Sequence, residues 1–103
     1  MGKPMKLRAR KTGDTTDVRV LMRHDMETGL RKDADGEVIA AHYIQNVTVR
    51  HEQRIVLHAQ WGAAISKNPY LAFKFAGGAA GDIVEVTWVD NKGDARTDQT
   101  NIT

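Results

Sequence analysis

Along most of this chain apolar and polar residues alternate with a period of two, in runs too short for anything but β-strands. Met5, Leu7 and Ala9 alternate with Lys6, Arg8 and Arg10. After the turn Lys11-Thr12-Gly13-Asp14-Thr15, Val18, Val20 and Met22 alternate with Arg19, Leu21 and Arg23. Alternate side chains of a strand share a face, so each run has one apolar face to bury. A third run, from His42 to His51, carries Tyr43, Val47 and Val49 but changes face near Gln45-Asn46, which predicts a β-bulge. Ile55, Leu57, Ala59 and Trp61 are expected on one side of a fourth strand. Leu71, Phe73 and Phe75 follow the break at Asn68-Pro69, Val84, Val86 and Trp88 line a sixth run, and residues 95–102 make a polar seventh.

The punctuation agrees. Asp90-Asn91-Lys92-Gly93 predicts a hairpin with Gly93 at positive φ, and the glycine-rich stretch 77–82 cannot continue a strand. No window carries a helical stripe, and residues 60–67 have room for one turn at most. About seven short strands spaced roughly ten residues apart predict an all-β, immunoglobulin-like antiparallel β-sandwich. Residues 1–103 are expected to form one such domain.

Composition removes several classes of function. The chain has no cysteine, so packing without a disulfide must hold the sandwich, and thiolate metal sites and cysteine nucleophiles are excluded. A net charge of +2 does not by itself call for nucleic acid or a membrane. The N-terminal residues lack the apolar run of a signal peptide, and Lys6 stands where a myristoylation motif has Ser or Thr. No apolar stretch approaches transmembrane length.

The long connection from Arg23 to Ile44 interrupts the strand pattern with both signs of charge and little apolar filler. Connections of that kind are usually functional or disordered. Asp33, Asp35 and Glu37 invite a calcium reading, but Gly36 comes fourth where an EF-hand loop needs its glycine sixth. Asp35-Gly36 reads as a tight turn. His24, His42, His51 and His58 lack a spacing that puts two on one face, and are expected to be hydrogen-bonded or on the surface. Ser66 has no Gly-x-Ser-x-Gly elbow around it. No acid, base and nucleophile converge, so an enzyme is not expected; nor is a cofactor or a metal.

If the first two strands pair, Lys6, Arg8, Arg10, Arg19 and Arg23 point away from the core. Such a face is either simply solvated or a docking face for an acidic partner. Single-stranded nucleic acid fits poorly, because no exposed aromatics are expected between these cations. In the second long connection, 61–70, Trp61 reads as a core plug at a corner, and Tyr70 falls on the face opposite Leu71 and Phe73.

Several of these blocks together resemble the SoxZ family of sulfur-oxidation proteins. They are residues 19–24, Met26-Glu27-Thr28-Gly29-Leu30-Arg31-Lys32-Asp33, residues 41–44, Ser66-Lys67-Asn68-Pro69-Tyr70 and residues 88–98. Asp25 and Ala40 depart from the family pattern, standing where proline is usual. The resemblance implies an immunoglobulin-like subunit that pairs with SoxY, whose C-terminal cysteine carries sulfur adducts among periplasmic enzymes. It further implies export together with that partner and transient contacts with other Sox enzymes. On this reading Met26, Glu27, Thr28, Leu30, Arg31, Asn68 and Tyr70 are the expected partner contacts. The alternative is a stand-alone recognition module that binds an acidic protein through Lys6, Arg8, Arg10, Arg19 and Arg23.

Overall fold

A computed structural model describes residues 2–103, and their strands follow the alternation closely. They are β1 (Lys6–Thr12), β2 (Thr15–Leu21), β3 (Ile44–His51), β4 (Arg54–Gln60), β5 (Tyr70–Ala76), β6 (Ile83–Asp90) and β7 (Ala95–Asn101). A three-stranded sheet, β1-β2-β5, packs on a four-stranded sheet, β4-β3-β6-β7, and every pairing is antiparallel. This is the immunoglobulin-like sandwich with its fourth strand hydrogen-bonded to the third rather than to the fifth.

The core is built from the alternating apolar faces. Val18 and Val20 of β2 and Phe75 of β5 meet Val47 and Val49 of β3 and Val84, Val86 and Trp88 of β6. Each large side chain removed from water contributes about 1.5–3 kcal/mol. Met22, just past β2, and Ile44, at the start of β3, are fully buried, so the core reaches up to the roots of the long connection.

One flank of the sandwich is closed. The backbone of Lys11 and Ala9 exchanges hydrogen bonds with Thr103, and Asp98 accepts from the Met5 amide at 2.9 Å. Glycine is required at one turn of this end: Gly78 has φ +90°, and a Cβ there would lie 2.4 Å from the Oγ1 of buried Thr16.

The register shifts between Ile44 and Asn46 against β6, where the sequence predicts a bulge. A second shift against β4, between Val49 and Arg50, is not legible in the sequence and corrects one expected core position. Val49 stands opposite Leu57, but Arg50 stands opposite Ile55, leaving Val56 as the extra residue. Ile55 is thereby turned out with Arg50 and is 55% exposed, while Val56 packs against the core.

Candidate functional site

The connection between β2 and β3 is an arm folded back on itself. Glu27 and His42 exchange backbone hydrogen bonds, Ile39 donates to the carbonyl of Arg31, and Lys32 bridges Val38. Its tip is the expected tight turn: Asp33 Oδ1 accepts from the amides of Asp35 (2.9 Å) and Glu37 (3.1 Å), with Gly36 at φ +80°. That carboxylate serves the turn.

Two clamps hold the base of the arm. On the outgoing side, Asn68 accepts from the His24 amide through Oδ1 (3.1 Å) and donates its own amide to the His24 carbonyl (2.9 Å). It does so at φ +52°, a left-handed conformation that asparagine tolerates better than most residues. On the returning side, Asn91 accepts from the Tyr43 amide (2.8 Å) and donates to the Ala41 carbonyl (2.8 Å).

Between the clamps lies a knot of two histidines and one carboxylate, with His24 and Asp90 buried and His42 partly exposed. Met26 donates its amide to His24 Nδ1 (3.0 Å), so that nitrogen carries the lone pair and His24 Nε2–H donates to Asp90 Oδ2 (3.0 Å). His42 Nε2 reaches the same oxygen at 2.7 Å. Asp90 Oδ1 accepts from the amides of Lys92 and Asp94, both at 2.9 Å. Burial alone would raise the Asp90 carboxyl, but the histidine donors and these amides outweigh it and hold the group below its ordinary value. The His24 ring also stands edge-on to His42 (4.4 Å between centroids) and to the buried Trp88 (5.1 Å).

His24, His42 and Asp90 are the one group among the described residues with three metal-capable atoms drawn together, within 4.8 Å. A metal-bound histidine normally donates its second ring nitrogen to an acceptor. Here His24 Nδ1 is itself the acceptor, and its Nε2 proton is committed to Asp90. The chemistry of this donor set is that of a hydrogen-bonded clasp.

Sequence reasoning missed this convergence because it compared histidine spacings along the chain. The available signal was positional: His24 and His42 bracket the two ends of the arm, and Asp90 opens the predicted hairpin that faces them. The other histidines match expectation, His51 paired with Asp82 at 2.8 Å and His58 exposed.

The expected contact residues divide. Met26, Glu27, Thr28 and Arg31 come together with Ile65 and Lys67 of the second connection around a shallow groove of about 610 Å³. Met26 is 5% exposed and packs in the core, where its Sδ accepts from the Ile44 amide. Glu27 is half-buried and ion-paired with Arg31 (Nε to Oε1, 3.0 Å), which draws its carboxyl below the usual range. Thr28 is exposed and accepts from the Leu30 amide. Leu30 is 86% exposed, the most exposed large apolar residue described, and Val38, across the arm, is 58% exposed. Asn68 belongs to the clamp. Tyr70 is exposed, as expected, and lies on the outer face of β1-β2-β5, opposite Leu21.

A family model, "Sulphur oxidation protein SoxZ", matches residues 5–101. The chain belongs to the SoxZ family. Family membership makes it a component of the Sox sulfur-oxidation system, and the match takes in the arm, both clamps and the Asp90 turn. No match was found among curated protein sequences. Among solved structures the SoxZ-family sandwich is similar to superoxide reductase (neelaredoxin) from Ignicoccus hospitalis. One structure, of a variant, has TM-score 0.66, 13% identity, and 99% of this chain covered against 80% of that one. A second gives TM-score 0.62 with the same identity and coverage. At that identity the likeness is one of fold.

Proposed function

We propose that this chain is the non-catalytic subunit of a sulfur-carrier heterodimer in thiosulfate and sulfur oxidation. It pairs with a SoxY-like subunit whose C-terminal cysteine carries the sulfur adduct, and it helps to present that adduct to the enzymes of the system. The observation that carries this reading is a SoxZ family match over residues 5–101 in a chain that contains no cysteine. Covalent sulfur chemistry then resides on the partner. Localisation follows in the same reading: the pair works in the periplasm, exported on the partner's signal.

The arm is the part of the chain best suited to hold the partner. Its base is fixed by the clamps and the His24–His42–Asp90 clasp, so little ordering entropy remains to be lost on association. Its two most exposed apolar side chains, Leu30 and Val38, have no use in the isolated chain, and permanent interfaces are the more apolar ones. Thr28, Leu30, Arg31 and Val38 are the proposed contacts. The test is co-expression with the SoxY-like subunit and capture through a tag on that subunit. The wild-type chain is expected to co-purify, whereas Leu30→Asp with Val38→Asp is expected to fold normally and be lost from the eluate. Full retention of the doubly substituted chain would place the contact elsewhere.

A further inference from the structure

The outward face of β1-β2-β5 can be read row by row from the strand register. One row is Lys6, Leu21 and Tyr70; the next is Arg8, Arg19 and Ala72; the third is Arg10, Asp17 and Lys74. The third row is partly neutralised, with Asp17 between two cations. The middle row is not: two arginines stand directly opposite each other, and the third position is an alanine. Asp17 reaches Arg19 at 3.6 Å and Tyr70 lies beside the same guanidinium, yet the Arg19 side chain is 57% exposed. The structure also adjusts the expected set of cations. Arg23 lies past the end of β2 and lines a separate depression with Lys3 and Lys67, while Lys74 joins the face.

Five cations and one carboxylate give this face a charge of +4. The chain has fifteen cations and thirteen carboxylates for a net +2, so the remaining ten cations and twelve carboxylates carry −2. Positive charge is concentrated on this face. Like charges directly across an antiparallel pair are destabilising, so the fold itself gains nothing from this arrangement.

We propose that this face is a docking surface for the acidic surface of a second protein that binds reversibly. The naming of that protein as an enzyme visiting the sulfur carrier rests on the function proposed above. A charged, solvated sheet face suits a partner that must arrive fast and leave, because charge complementarity raises the association rate more than the affinity. It suits a permanent subunit poorly, since such interfaces are apolar. Nucleic acid fits less well than protein: Tyr70, beside Arg19, is the one aromatic on these three rows, and a strand of bases needs successive stacking platforms between the cations.

The test uses the complex of this chain with its SoxY-like subunit, and as probes the purified enzymes of the same sulfur-oxidation system. Association rates are measured from low to high salt for the wild type, for Arg8→Glu with Arg19→Glu, and for Arg8→Gln with Arg19→Gln. For at least one enzyme the charge reversal is expected to slow association by roughly tenfold or more at low salt and to remove most of the salt dependence. The neutral pair should fall between, and the heterodimer should remain intact in both variants. Unchanged rates with every enzyme would overturn the proposal, as would loss of the heterodimer, which would assign the face to the carrier subunit. Tighter binding of a single-stranded oligonucleotide than of any enzyme would also overturn it. If the wild-type chain never pairs with a SoxY-like subunit, the carrier reading fails instead. The same drop is then expected with the chain alone, and its absence would overturn the docking face as well.

Discussion

Replacing Asp90 by asparagine changes one atom and one charge in the clasp that holds the arm. The carbonyl of the new amide can still accept from the Lys92 and Asp94 amides, but its NH₂ then faces the two histidines. His42 is free to present its other tautomer and accept. His24 is not, because the Met26 amide already occupies its Nδ1, so a buried ring N–H is left pointing at an N–H. An orphaned buried donor costs about 1–3 kcal/mol, and the lost bond to a carboxylate adds about 1.5–3 kcal/mol. A loss of roughly 3–5 kcal/mol follows, which at about 4–8 °C per kcal/mol lowers Tm by at least about 12 °C. Urea unfolding followed by tryptophan fluorescence measures it, with Trp88 beside His24 as an internal reporter. Hydrogen exchange at the Met26 and Ile44 amides should accelerate more than exchange in β6. Asp35→Asn, at the exposed tip of the arm, is the control and should stay within about 0.5 kcal/mol of wild type. A loss below about 1 kcal/mol for Asp90→Asn, with the Met26 amide still protected, would refute the clasp.

Other substitutions test the frame around it. Arg8→Glu turns the like-charged pair with Arg19 into an attractive one and should raise Tm slightly, read by thermal melting; a decrease would show that the arginines do not repel. Gly78→Ala must place a Cβ 2.4 Å from Thr16 Oγ1 at φ +90°, and a loss of about 1–3 kcal/mol is expected in urea titration. The acid limb of stability follows from the carboxylates. The Asp82 carboxyl is lowered by its bond to His51, Asp98 by its bond to Arg96, and Asp90 by its four donors against burial. Groups depressed in the folded state contribute stability above their unfolded value, near 3.9 for Asp, and lose it as pH falls through the folded values. Equilibrium unfolding should therefore show the contribution of these three groups constant above about pH 5 and declining below about pH 4; stability that rose on acidification through that range would contradict the assignment.

The strands were legible because a sandwich strand with one buried face writes its period directly into the sequence. Val18, Val20, Val84, Val86 and Trp88 all lie where alternation puts them. Ile55 was misplaced because a bulge is a two-strand event: nothing within β4 announces that Val56 has no partner in β3. The arm was legible as a connection but not as an object. Its clasp and the bond from the Ile44 amide to Met26 Sδ join residues 18 to 66 positions apart, and the side chains that make them are ordinary when read singly. Met26 shows the consequence. A methionine in a charged loop looks like surface, yet the clamps at Asn68 and the clasp at Asp90 turn it onto Ile44 and into the core. Leu30, four residues on and past the last clamp, keeps the exposure that the sequence suggested.

The account as a whole is tested most directly by the native mass of this chain co-expressed with its SoxY-like subunit. One copy of each is expected to travel together, the 11.4 kDa of this chain plus the mass of the partner, with reactive cysteine found solely on the partner. A free 11.4 kDa species, with the SoxY-like subunit migrating separately at every concentration, would contradict it.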